Sequence, residues 1–196
     1  PSEHDYNLLV VGNSFARDFV NAGLSNGYFS NHNIVYQPRI AEEIDGNLVL
    51  LNEYRTLIAK AHYIIFASGY SRETAEATME TIEQAAQISE AACIVLGNKN
   101  FGWNNNAVMR LPESSRYEYR AKVAKAALEQ EASAREIIPD QIYVSILEPL
   151  IDKEGRVPVF TPNRKFISQD RRHFTQHGAK YVGSLIFEHA LLEPLK

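Results

Sequence analysis

Tyr6-Asn7-Leu8-Leu9-Val10-Val11-Gly12-Asn13-Ser14-Phe15-Ala16-Arg17-Asp18-Phe19-Val20-Asn21 passes from strand to helix across a single glycine, and that turn sets the fold class. Residues 6–11 are a short apolar run with the length of a strand buried on both faces. Residues 14–21 read as the helix that follows. Working outward, the same alternation recurs. Apolar runs at 33–36, 63–67 and 93–96 are strand-like, with a weaker fifth at 142–146. Helix-like segments fall between and after them, at 48–61, 73–91, 116–135 and 176–192. In the first of these, Leu48, Leu51, Leu57, Ile58 and Ala61 carry the helical spacing.

Strands alternating with helices predict βαβ units. They imply a mostly parallel sheet of about five strands with helices on both faces, a three-layer α/β/α sandwich of the flavodoxin-like kind. No Gly/Ser-rich or Pro-rich linker and no internal repeat divides the chain, so residues 1–196 read as a single domain. Residues 97–112 and 149–172 are irregular. The first of these sets Asn98, Asn100, Asn104, Asn105 and Asn106 around Trp103 and reads as a surface loop, of a length that compact domains reserve for function.

The formal net charge is −4, which argues against a nucleic-acid partner, since nothing here neutralises a run of phosphates. The charge is uneven: residues 1–100 carry 6 basic and 12 acidic side chains, and residues 101–196 carry 14 and 12. Arg164-Lys165 and Arg171-Arg172 are the basic clusters of the second half, and solvated surface is their plain reading. Cys93 is the only cysteine, so no disulfide forms within the chain, and its apolar run predicts a buried, inert thiol. No stretch reads as a signal peptide or a membrane span. The chain begins at Pro1 without an initiator methionine, which reads as a fragment of a longer protein.

Parallel α/β sheets bind ligands at the carboxyl ends of their strands, and three groups of chemistry-bearing residues fall there. Gly12-Asn13-Ser14 follows the first strand. The glycine permits a sharp turn, and the serine hydroxyl sits at a helix N-terminus, where backbone N–H groups and the helix dipole favour negative charge. Ser14 or Asn13 as a simple helix cap is the alternative. Gly69-Tyr70-Ser71 follows residues 63–67. Its backbone N–H and the Ser71 hydroxyl are candidate donors to a developing negative charge, while Ser71 equally suits the cap of a helix starting near Glu73.

The third group is Asp170-Arg171-Arg172-His173-Phe174-Thr175-Gln176-His177-Gly178-Ala179, just before the last helix. An Asp three residues ahead of a His can hold the imidazole through Nδ1–H and leave Nε2 to take a proton from a serine hydroxyl. Thr175 reads as the N-cap of the closing helix. A metal site from Asp170, His173 and His177 is the competing arrangement. It is disfavoured because the cap and Gly178 place the two histidines on different local structures and no third strong ligand is near. No metal and no cofactor is expected. His4, His32, His62 and His189 show no partner pattern, and His189 falls on the apolar side of the last helix, where a packed histidine is expected.

In their order and places these three groups resemble the motifs of the SGNH/GDSL hydrolase superfamily: G-D-S after the first strand, G-x-N after the third, D-x-x-H near the C-terminus. Asp170-x-x-His173 followed by Phe174-Thr175-x-x-Gly178-Ala179 is the most specific piece, and the resemblance covers essentially the whole chain. It implies Ser14 as nucleophile, His173 as its base and Asp170 as the residue that orients the base. Asn13, Gly69 and Ser71 would then surround the oxyanion. The chain departs from the family in three places. Asn13 stands where the family has Asp, and Ser71 stands where it has the oxyanion Asn. No clean glycine follows residues 34–36; Pro38-Arg39-Ile40 stands there, with a backbone N–H of Arg39 or Ile40 as the substitute. Asn98 or Asn100 from the long loop are candidate replacements for the missing donor. Trp103 and Tyr70, with the asparagines, suit a sugar-binding rim.

This pattern is similar to SGNH domains associated with O-acylation of surface carbohydrates, some of them fused to membrane acyltransferases. The resemblance therefore implies serine-dependent O-acyl ester chemistry with an acylated carbohydrate or other small ester as partner. It also implies a membrane acyltransferase domain in the same parent chain, and a periplasmic or extracytoplasmic location. A small-ester esterase or lipase is the nearest alternative, and a catalytically inactive SGNH-fold binding module is another. A nucleotide-binding flavodoxin-like domain is disfavoured because no glycine-rich phosphate loop follows the first strand.

Overall fold

The computed structural model describes residues 6–196. Its elements are β1 (Tyr6–Gly12), α1 (Ser14–Ser25), β2 (His32–Gln37), β3 (Ala41–Ile44), β4 (Asn47–Leu50), α2 (Arg55–Lys60), β5 (Tyr63–Ala67) and α3 (Arg72–Ala86). They continue as β6 (Ala92–Leu96), α4 (Glu113–Arg116), β7 (Arg120–Lys122), α5 (Lys125–Ile137), β8 (Tyr143–Val144), β9 (Arg156–Pro158) and α6 (Gln176–Ile186). Five strands form one parallel sheet in the order β2-β1-β5-β6-β8. Counted along the chain these are strands 2-1-3-4-5, the flavodoxin-like order, and the direction of winding reverses between β1 and β5.

Side chains of successive strand residues point to opposite faces, and here both faces are covered. Leu8, Val10, Ile65, Ile94 and Leu96 pack on one side with Phe19 of α1 and Val182 and Ile186 of α6. Leu9, Val11, Ile64, Phe66 and Val95 pack on the other with Ile58, Ala75 and Ala134 of α2, α3 and α5. Burial on both sides is why residues 8–11 show an unbroken apolar run rather than polar alternation. The result is the three-layer α/β/α sandwich that the sequence predicts.

Local assignments differ in several places. Within residues 48–61 the chain first forms a hairpin, in which β4 pairs antiparallel with β3. Its turn is Asp45-Gly46, both left-handed at φ 51° and 77°, a geometry that matches the twist of paired strands. Leu48 and Leu50 follow strand period there, and only Arg55–Lys60 is helical. Within 116–135 the chain makes β7, paired antiparallel with β9, before α5 begins. The last helix stops at Ile186, so His189 is exposed beyond it rather than packed on an apolar face. Its Nδ1 accepts the Leu191 N–H at 3.3 Å. Cys93 is half-buried in β6, and burial pushes its thiol up to about 11. Among the described residues no helix is long and apolar enough to cross a membrane.

Candidate active site

β1 ends at Gly12 with φ 142°, and a Cβ there would lie 2.0 Å from the carbonyl oxygen of Ala67 in β5. Only glycine turns the chain while pressed against its neighbour. Asn13 is the N-cap of α1, its Oδ1 accepting the Phe15 N–H at 3.0 Å. Ser14 is the first helical residue and is half-buried. Cap and hydroxyl thus belong to adjacent residues, and capping leaves the Ser14 hydroxyl available.

The loop before α6 meets this turn. His173 Nε2 lies 3.1 Å from Ser14 Oγ, and His173 Nδ1 lies 2.6 Å from Asp170 Oδ2. The other carboxylate oxygen, Oδ1, accepts the N–H groups of Arg171, Arg172 and His173 at 2.5, 2.8 and 3.0 Å, and the Ser168 hydroxyl at 3.1 Å. Partial burial opposes ionisation of Asp170. The backbone donors and the imidazole outweigh it and hold the carboxyl well below the usual carboxylate range. An acceptor that stays ionised fixes the imidazole proton on Nδ1 and turns the Nε2 lone pair towards Ser14.

The far end of this loop is anchored at Thr175, whose N–H donates to the Ile167 carbonyl at 3.0 Å and whose hydroxyl donates to the Phe166 carbonyl. Thr175 Oγ1 in turn accepts the Gly178 N–H at 3.0 Å as the N-cap of α6. A Cβ at Gly178 would lie 2.0 Å from the Ile167 carbonyl oxygen, so the first turn of α6 seats on this segment only with glycine there. His177 is exposed on that first turn. Both ring nitrogens of His173 face Asp170 and Ser14, and among the described residues no three His, Cys, Asp or Glu side chains gather to hold a metal ion. His4 lies outside the described residues.

Gly69 stands at the same sheet edge, where a Cβ would lie 4.0 Å from the Phe15 ring. Among the described residues, no acceptor takes the N–H of Ser14 or of Gly69. Ser71 caps α3 in a reciprocal box: its Oγ accepts the Thr74 N–H at 3.4 Å, and its own N–H donates to Thr74 Oγ1 at 2.7 Å. Asn98 is buried, accepting the Tyr70 N–H at 2.8 Å and donating to the Tyr70 carbonyl at 3.3 Å. Its own N–H donates to Glu131 of α5 at 2.9 Å. Asn98 therefore braces the loop that carries Gly69.

Asn100 is engaged elsewhere, its Oδ1 accepting the N–H groups of Gly102 and Ala124, each at 3.1 Å. Residues 97–102 are buried rather than forming a surface loop, because their amides satisfy backbone groups that burial would otherwise leave unpaired. Trp103, which follows them, is exposed, with its ring 5.6 Å from the Arg171 guanidinium, beside the loop of Asp170 and His173. A groove of about 330 Å³ opens on the Gly69 side, lined by Gly12, Asn13, Arg39, Ile40, Gly69 and Tyr70 among others. Arg39 and Ile40 thus reach the edge of the site.

In fold, the chain is similar to a lipopolysaccharide acetyltransferase periplasmic domain from Salmonella ser. Paratyphi A. The two superpose with a TM-score of 0.66 at 16% identity, over 93% of this chain and 82% of that one. A DUF4886 family protein from Bacteroides uniformis also matches, with a TM-score of 0.39 and 10% identity over 95% and 84% of the two chains. No family model and no curated protein sequence matches the chain.

Three charged residues at this edge escape the sequence reading. Asp18 and Lys99 form a buried ion pair behind Ser14 and His173. Burial pulls the Lys99 ammonium down to about 8 against the opposing attraction of Asp18 and Asp170. Glu131 is buried in α5, holding the Asn98 N–H and the Ser145 hydroxyl, the latter at 2.6 Å. Asp18 had one faint signal: it lies four residues after Ser14, on the helix face shared with Phe15, Phe19 and Ala22. Lys99 and Glu131 had none, for their partners lie 81 and 33 residues away.

Proposed function

We propose that this chain performs serine-dependent O-acyl ester chemistry, carrying an acyl group on Ser14 from an ester donor to a carbohydrate hydroxyl or to water. The observation that carries the reading is the continuous hydrogen-bonded line from Ser14 through His173 to Asp170. Ser14 Oγ attacks the acyl carbonyl carbon while its proton passes to His173 Nε2. The ester C–O bond breaks, and the leaving oxygen takes that proton. The acceptor hydroxyl then yields its proton to Nε2 and attacks the acyl-enzyme; the bond from Ser14 Oγ to the acyl carbon breaks, and Oγ takes the proton back from Nε2. Asp170 stays ionised and balances the imidazolium in both steps.

The open N–H groups of Ser14 and Gly69 suit the tetrahedral oxyanion. Ser71 caps α3 through an oxygen lone pair, which leaves its hydroxyl proton as a further donor beside these backbone groups, and Asn98 serves the hole through Tyr70. The exposed Trp103 ring beside the catalytic loop suits stacking on a sugar face. The likeness in fold to a lipopolysaccharide acetyltransferase periplasmic domain favours acetyl as the acyl group, carbohydrate as the acceptor and an extracytoplasmic location. A membrane acyltransferase domain in the same parent chain is part of this proposal as the source of the donor.

The test uses a fluorophosphonate probe and p-nitrophenyl acetate. The probe is expected to label Ser14, and Ser14→Ala and His173→Ala each to lower kcat by about 10³-fold or more. Adding an oligosaccharide acceptor is expected to divert product from free acetate to acetylated sugar, read by mass spectrometry. Full activity in both variants overturns the reading.

A further inference from the structure

The side chain of Lys99 is wholly buried, three residues past the end of β6. An ammonium ion in that position is costly unless paired, and the proton relay of Ser14, His173 and Asp170 does not use it. Its Nζ donates to Asp18 of α1, and lies over two aromatic rings, 4.4 Å from the centroid of Phe15 and 4.5 Å from that of Phe174. Phe15 directly follows Ser14, and Phe174 directly follows His173. The same Asp18 oxygen accepts the Phe174 N–H at 3.0 Å. Three segments remote in sequence thus meet on one cation: the start of α1, the loop after β6 and the loop before α6.

We propose that Lys99 and Asp18 are positioning residues that set the distance between Ser14 and His173. This rests on the reading of Ser14 and His173 as the reacting pair. The 3.1 Å contact between those two is open to water, where a hydrogen bond contributes little against competing solvent. The contacts behind it are dry, and cation–π attraction is strongest in desolvated sites. Each aromatic ring moves with the backbone of its neighbour, so the ammonium acts on nucleophile and base at once. Asp18 completes the clamp by holding the base loop through the Phe174 N–H.

Two variants test this. Lys99→Met keeps the length of the stem and removes the charge. The double variant Asp18→Asn/Lys99→Met removes both charges, leaves no unpaired ion in the interior, and is expected to fold even where the single variant does not. In the folded variants kcat for p-nitrophenyl acetate is expected to fall about 10- to 100-fold with KM within about threefold, as small misplacements of reacting groups do. The ¹⁵N shift of His173 Nε2 is expected to move towards its value in Ser14→Ala, where its partner is absent. A folded double variant with wild-type kcat, or with its Nε2 shift at the wild-type value, overturns the proposal. Absence of Ser14-dependent turnover in the unaltered protein overturns the functional reading instead, and the Nε2 shift still decides the positioning role.

Discussion

Replacing Asn98 by Ala separates a brace from a catalytic donor. Asn98 is 3% exposed and Tyr70 is 1% exposed, so the two hydrogen bonds between them are closed to water. The substitution strips the partner from the Tyr70 N–H, bonded at 2.8 Å, and from its carbonyl, bonded at 3.3 Å. A buried group left unpaired costs about 1–3 kcal/mol, with carbonyls tolerating the loss better than N–H groups. The longer second contact contributes at the low end, so the sum is roughly 2–4 kcal/mol. For a chain of this size each kcal/mol shifts Tm by about 2–4 °C, which predicts a fall of about 5–15 °C.

Thermal unfolding followed by circular dichroism reads that shift, and kcat with p-nitrophenyl acetate is measured well below the new Tm. Activity is expected to fall as well, because Tyr70 fixes the preceding Gly69 N–H. A residue donating directly to the oxyanion behaves differently: its loss costs about 10²–10³ in kcat with stability unchanged. An Asn98→Ala protein that melts within 2 °C or so of the wild type refutes the bracing argument.

Asp170→Asn is expected to lower Tm at pH 7, with the gap to wild type closing below about pH 4. The carboxyl is depressed in the folded chain, so its stabilisation is present above the unfolded pKa of about 3.9 and is lost as pH falls below it. A gap constant from pH 7 to pH 3 refutes that origin. Gly178→Ala drives a methyl group into the Ile167 carbonyl and is expected to destabilise by roughly 1–3 kcal/mol. It should also slow fluorophosphonate labelling of Ser14, because Ile167 anchors the loop of His173. An unchanged melting curve and labelling rate refute that packing.

Where the sequence reading departs from the structure, competing local signals explain it. Residues 48–61 hold leucines that satisfy both periods, and the Asp45-Gly46 turn before them decides for a hairpin. In residues 97–102 polarity suggested surface, yet each amide meets a backbone group from another segment, and the loop is buried. Ser71 fits both a cap and a donor in sequence, and its distances to Thr74 show the cap, which occupies an oxygen lone pair and not the hydroxyl proton.

By itself the sequence determined the layered fold, the strand-end turn at Ser14 and the pairing of Asp170 with His173. Those features rest on short-range causes: side-chain period, a glycine at a tight turn, and an Asp three residues from a His. The tertiary structure alone decided that Ser14 and His173 meet, 159 residues apart in the chain. It also decided that a buried Lys99–Asp18 pair stands behind them and that Asn98 braces the far side of the site. Burial of a charge or an amide depends on partners that arrive from distant segments once the sheet has formed, and no local pattern encodes that arrival.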